Sequence, residues 1–358
     1  MNKKINPLDL LDEFRSFIIQ CQKGKRRNKN GSKITPGSVR KFQVTLNKLE
    51  EFSNMKSFDL RIKINSKPNQ KFIQAEKIYW TKFYIKFTRF LYEDLDCYDN
   101  YVGSVIKDIR TFFNYLLIEK NIAVGNFYKS FYVAHENIQI LTISPEQLNF
   151  LINDQNFESS LRPVLKKVKD IFVAGCTLGL RYSDLINLRK YNLEIFGNAL
   201  YIKVQSLKTK TYTRIKAPDY LLQIFNKYSK RGKTLLPYFN LVRLNIYLKE
   251  LAEFANWTGE TIKTRQKKGR SEIIYKSRKQ KNYHRFCDLV SSHMMRRSAI
   301  TNLLTLQMPE HLVRKISGHA PNSKEFHKYV AISQEYMDIE SDKVFDKLEK
   351  IQSVSYMS

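Results

Sequence analysis

The sequence predicts a mostly α-helical protein of two domains, with a small β-hairpin sheet in the second. Three observations carry this. The chain has 358 residues, more than the roughly 250 at which a single hydrophobic core stops growing. Apolar residues recur every three or four positions along most of it, and the period switches to two at ALYIKVQ (199–205) and YTRIK (212–216). Hydrophobic residues make up 42% and aromatic residues 13%, enough for packed interiors and too much for a disordered basic tail.

Leu10, Phe14 and Phe17 mark a first helix, and Phe42, Leu46 and Leu49 a second. Ile78, Phe83, Phe87 and Phe90 mark a third; Val105, Ile109, Phe112 and Leu116 mark a fourth, with Asn100 as its expected N-cap. Between the first two lies GKRRNKNGSK (24–33), which reads as a solvated loop or, through Lys25, Arg26 and Arg27, as a phosphate contact. The stretch 121–141 has no helical period, and Ser144-Pro145-Glu146-Gln147 reads as a capping box with proline at the first helical position. The domain boundary is therefore expected near 138, giving domains 1–137 and 138–358. Helical patterns over 163–178 and 183–189 precede the hairpin, whose basic tip carries Lys208 and Lys210; others follow over 219–228 and 239–255. Segment 261–285 holds ten Lys or Arg and one acid, so it is a soluble loop or a nucleic-acid contact through Lys267, Lys268 and Arg270. Helical periodicity returns over 293–306, 309–317 and 333–350. There is no internal repeat.

Lys plus Arg number 62 against 34 Asp plus Glu, a formal net charge of +28, and the expected partner is a polyanion. The excess is not a tail: residues 1–140 hold 25 basic and 14 acidic side chains, and 141–358 hold 37 and 20. Cys21, Cys97, Cys176 and Cys287 show neither CxxC nor secreted-framework spacing and are expected to be reduced. The N-terminus turns acidic within ten residues, unlike a signal peptide, and the run Ile171 to Leu180 is about half a membrane span. A cytoplasmic, nucleoid-associated location follows as the expectation.

Five places in the second half hold residues suited to breaking a phosphodiester without a metal. Gly179-Leu180-Arg181-Tyr182-Ser183-Asp184 puts an arginine between two helical patterns, where its guanidinium can enter a cleft. Lys208 sits at the hairpin tip. His293-Met294-Met295-Arg296 places two cationic side chains three apart, on one helical face. Gly318-His319 follows EHLVRKIS, with glycine at the helix end and an imidazole just beyond, and Tyr329 comes ten residues later. Each alone is an ordinary surface or packing residue. Together they supply two guanidiniums for bidentate phosphate contact, two imidazoles, a lysine and a phenol.

In that order they resemble the tyrosine recombinase, or phage-integrase, family of site-specific recombinases. The matching stretches are AGCTLGLRYSDLINL (174–188), VQSLKTKTYTRIKAP (204–218), SSHMMRRSAITNLL (291–304) and ISGHAPNSKEFHKYV (316–330). The resemblance covers 138–350 well, and 8–120 less specifically as a core-binding domain. It implies a helical core-binding domain and a mixed α/β catalytic domain clamping double-stranded DNA, with four protomers on two sites. It implies that Tyr329 attacks the scissile phosphate, giving a 3′-phosphotyrosyl bond and a free 5′-hydroxyl, with no cofactor or metal. Arg181 and Arg296 would hold the phosphate, Lys208 would protonate the leaving oxygen, His293 would assist proton transfer at the nucleophile, and His319 would donate to a phosphate oxygen. Asp184 would orient these groups, or is simply a helix-start carboxylate.

Many relatives separate the second histidine and the tyrosine by nine positions, whereas Tyr329 follows His319 by ten, and a one-residue insertion near Pro321-Asn322 would absorb the difference. Tyr336, at seventeen, is the rival nucleophile, and Arg297 is expected to face away from Arg296. A zinc site from His284, Cys287, His293 and His319 fits no common spacing. A non-catalytic basic DNA-binding protein and a type IB topoisomerase-like relaxing enzyme are the alternatives.

Overall fold

The protein is described by a computed structural model over residues 7–28, 30–65, 67–197, 199–206, 211–229, 234–320, 323–330, 338, 341–346 and 348. Its contacts divide the chain into two units, Met1–Ile138 with Thr264–Ile274, and Gln139–Lys263 with Tyr275–Ser358.

In the first unit four helices span Leu10–Gln22, Pro36–Lys56, Gln70–Arg89 and Asp99–Asn114. The first three are opened by side-chain caps: Asp9, Thr35 and Asn69 accept from the backbone N–H of Asp12, Ser38 and Phe72. Their inward stripes build a core rich in aromatic rings, among them Phe14, Phe17, Phe52, Trp80, Phe83 and Phe112. Trp80 stacks on Phe127 with centroids 4.4 Å apart. Ile78 departs from the expected stripe and is exposed, because five residues of helix place it about 140° from Phe83. Asn100 is not the cap of the fourth helix, which starts at Asp99 after Tyr98. Its carbonyl oxygen instead accepts from the Glu136 N–H at 3.1 Å, fixing the segment that leaves the helices.

Within the same unit lies an antiparallel hairpin, Thr264–Lys267 with Arg270–Ile273. Arg265 grips the fully buried Glu136 carboxylate at 2.7–3.1 Å, and the Gln266 N–H donates to it at 2.7 Å. Asp99 accepts from the N–H groups of Lys268 and Gly269 at 2.8 and 2.9 Å and from the Tyr92 hydroxyl at 2.7 Å. A segment whose sequence reads as loop or nucleic-acid contact is thus ordered by carboxylates far away in the chain. Glu136 precedes Arg265 by 129 positions.

The second unit is built around the helix Pro163–Leu178, which packs against Ser292–Thr305 and Leu241–Phe254. Gly175 permits the first contact, since a Cβ there would fall 2.5 Å from the Met295 sulfur. The capping box forms as expected, with the Gln147 N–H donating to Ser144 Oγ and the Ser144 N–H to Gln147 Oε1. The hairpin strands Ala199–Gln205 and Tyr212–Lys216 pair antiparallel, turning Ile202, Val204, Thr213 and Ile215 inward. Leu193–Phe196 adds a third strand on the other edge. Only four residues long, with Ile195 and Phe196 exposed, it carries no alternating signal. Of the predicted tail helix over 333–350, residues 341–346 are helical and most of the rest lies outside the described residues. All four cysteines are unpaired thiols. Among the described residues no helix is long and apolar enough to cross a membrane, and no cluster of His, Cys, Asp and Glu could hold a metal ion.

Candidate active site

Three helix ends of the second unit meet at one cleft. The helix Pro163–Leu178 stops at Gly179, whose φ of 61° suits glycine, and the chain then turns through Leu180 to Arg181. Arg181 lies just before the short helix Tyr182–Leu185 and donates to Ser206 Oγ at 2.9 Å, beyond the end of the strand Ala199–Gln205. Gly318 ends the helix Glu310–Ser317 and presents His319. Tyr329 stands on the helix Lys324–Val330.

Arg296 is the hub. It is buried, donating to the carbonyl oxygens of Gly179 at 2.8 Å and Ser317 at 2.7 Å, so it ties together the ends of the two helices that carry Arg181 and His319. Its Nη2 also lies 3.2 Å from His319 Nε2, and Ser317 Oγ lies 2.8 Å from His319 Nδ1. Nη2 is also 3.4 Å from Nδ1, and because a guanidinium only donates, the ring nitrogen that carries no proton is the one that accepts from Arg296. Tyr329 is only 5% exposed, among Ile300, Leu304, Val313 and Phe326, with its ring centroid 6.0 Å from that of His319. Arg181, His293, Arg296, His319, Glu325 and Tyr329 all line one cleft of about 440 Å³.

Charge in this cleft is crowded. Burial and then Arg181 pull the Arg296 guanidinium down to about 10, opposed by Tyr329 and by the buried Asp184. Burial, Arg296, Arg181 and Arg314 pull His319 down to about 4, so it is neutral at physiological pH. His293, at the solvent-exposed lip, is lowered by desolvation, Arg297, Arg296 and Arg181, and raised by Glu325. A site of two guanidiniums and two imidazoles is built to receive an anion, and a phosphate diester fits that set of donors.

Phage integrases are matched, as a family model, by residues 160–335. Residues 160–335 form a phage integrase domain. The whole chain also resembles solved structures. XerH recombinase in a post-cleavage complex with a palindromic difH substrate matches at 11% identity and TM-score 0.58, covering 91% of this chain and 94% of that one. A lambda integrase dimer bound to a COC' core site matches at 11% and 0.57, covering 91% and 78%. The Tn1549 transposon integrase with transposon right-end DNA matches at 13% and 0.57, covering 90% and 94%. No curated protein matches. At such identities the likeness shows the fold: helical, with small sheets, as in tyrosine recombinases.

Five of the six expected catalytic residues of the integrase domain, Arg181, His293, Arg296, His319 and Tyr329, line the cleft. Lys208, Lys210 and the rival Tyr336 lie outside the described residues. Lys25 and Arg270 are exposed. Arg26 is held by Glu119 at 3.0 Å and lies over the Phe17 ring, and Arg27 donates to the Gly31 carbonyl. Lys267 and Lys268 are ion-paired with Asp96 at 2.5 Å and Glu93 at 2.7 Å. Reasoning from sequence missed Ser206, Ser317 and Glu325. The serines have no signal beyond adjacency, whereas Glu325 is marked by lying four residues, one helical turn, before Tyr329.

Proposed function

We propose that the protein is a site-specific tyrosine recombinase, cutting and rejoining double-stranded DNA through a 3′-phosphotyrosyl link on Tyr329. The observation that carries this reading is the convergence of Arg181, His293, Arg296, His319 and Tyr329 on one cleft of the integrase domain. Arg181 and Arg296 hold the scissile phosphate and offset charge gathering on its oxygens. Arg296 suits that task because two backbone carbonyls fix its plane before DNA arrives. Tyr329 Oη bonds to phosphorus as the bond to the 5′-oxygen breaks. His293 takes the phenol proton, and Lys208 gives one to the leaving oxygen. The phosphotyrosyl link conserves the bond energy, and attack by a 5′-hydroxyl reverses every step. Asp184 steadies Arg296. His319 accepts from Arg296 through its unprotonated ring nitrogen, and with the proton on Nε2 it donates to phosphate.

The helical unit, through Lys25 and its neighbours, and the hairpin residue Arg270 add phosphate contacts in this reading. Four protomers act on two sites, as in the lambda integrase tetramer bound to a Holliday junction. Exposed Val344, Phe345 and Leu348 offer an apolar face to a second copy. The test is covalent capture on a randomised library of duplexes nicked near a central step. Denaturation-resistant adducts should form and map by mass spectrometry to Tyr329. Absence of adducts, or adducts at Tyr336, refutes the assignment.

A further inference from the structure

Among the charged groups lining the cleft, Glu325 is the one acid among the described residues. A carboxylate beside a phosphate site is costly, because it repels the ligand that the arginines attract. Its position gives it a use. Glu325 sits one turn before Tyr329 on the helix Lys324–Val330, so the carboxylate and the phenol share a helical face and line the same cleft as His293. Its own contact is an exposed 3.1 Å pair with Lys328, which water weakens. The groups acting on His293 are Arg296 and Arg297 from its own helix, Arg181 from the turn after Gly179, and Glu325. Three of these four are cations. An imidazole among three guanidiniums is a poor proton acceptor, since the imidazolium it must become is repelled from several sides.

Resting on the recombinase reading, we propose that Glu325 completes a Tyr329–His293–Glu325 arrangement and is its positioning residue. Its carboxylate stabilises the imidazolium that forms when His293 takes the Tyr329 proton. As Tyr329 Oη bonds to phosphorus, the phenol proton passes to His293. The 5′-oxygen departs with its bonding electrons and a proton from Lys208, and the imidazolium is held against Glu325 until religation returns its proton to the phenol. The division of labour is that of any nucleophile–base pair oriented by a third group. Glu325 touches neither phosphate nor phenol proton and acts through His293 alone.

The experiment uses the full chain with Glu325→Gln and Glu325→Asp. First, the imidazole of His293 is titrated by NMR without DNA. In Glu325→Gln it should titrate lower than in the wild type by roughly half a pH unit or more, and Glu325→Asp should keep most of the wild-type value. Second, the pH profile of adduct formation is measured. In Glu325→Gln the plateau rate should fall about tenfold and the acid limb should move to lower pH, as expected for a weaker base. Matched melting temperatures show that each variant is folded. A His293 titration unchanged in Glu325→Gln overturns the proposal, as does a profile displaced equally by Glu325→Asp, because charge and not shape is invoked. If the wild type forms no adduct while the His293 titration still responds to Glu325, the recombinase reading fails and the electrostatic coupling stands.

Discussion

Burial of His319 against three guanidiniums ties the stability of the second unit to pH. His319 is held at about 4 in the folded protein, against about 6.5 in an unfolded chain. The unfolded state therefore binds more protons between these values, so the contribution is fully present above about 6.5 and is lost as pH falls toward about 4. For one group with these two values, the difference between pH 7 and pH 5 is about 2 kcal/mol. Partial exposure of the ring to water reduces this to roughly 1–2 kcal/mol. His319→Asn removes the titration and keeps a polar side chain next to Ser317. Other groups titrate over the same range, so the quantity to measure is the wild-type minus variant stability by urea denaturation at a series of pH values. That difference should fall by about 1–2 kcal/mol from pH 7 to pH 5, a relative loss of about 2–8 °C in melting temperature for a unit of this size. A difference that stays flat across this interval refutes the packing of the imidazole against Arg296.

Tyr329→Phe should bind DNA with near wild-type affinity in gel shift and form no covalent adduct, since only the hydroxyl is lost. Glu136→Ala should unfold the hairpin Thr264–Ile273 from the helical unit, and Arg265→Ala should cost about 3 kcal/mol by leaving a buried carboxylate with one of its partners gone, read as faster hydrogen exchange at Gln266 and Lys268. Replacing Lys25 or Arg270 by alanine should lower the slope of log affinity against log salt by about 0.9 each. Lys267→Ala should lower it by less, because its ammonium is already neutralised by Asp96. Deleting 339–358 should leave binding to one DNA site intact and abolish the joining of two; loss of single-site binding would assign the tail to its own core.

What the sequence discloses depends on how local the cause is. The four helices of the first unit were legible because their cores are stripes repeating within one element, and the capping box at Ser144 because its partners lie three residues apart. The five residues that line the cleft, Arg181, His293, Arg296, His319 and Tyr329, were legible as an ordered set, since each sits at a helix end or on a helix face that the pattern marks. Their mutual support was not. Arg296 reaches carbonyls 117 residues earlier and 21 later, and a backbone oxygen carries no residue signature at all. The anchoring of the hairpin at 264–274 was not legible for a related reason. A run of cations reads as a surface for a polyanion unless its counter-charges are known, and here they are Glu93, Asp96, Asp99 and Glu136, which the sequence separates widely from it. The net charge of +28 made the polyanion reading persuasive for every basic segment, although a segment whose charges the fold balances contributes less to it than one left unbalanced. By the same reasoning, the weight of Glu325 is invisible in a chain with 34 acidic residues and decisive in a cleft where the other charged side chains are all bases or a phenol. Local environment sets what a charge does, so the acid proposed to act on Tyr329 is the one the fold places in the same cleft as His293.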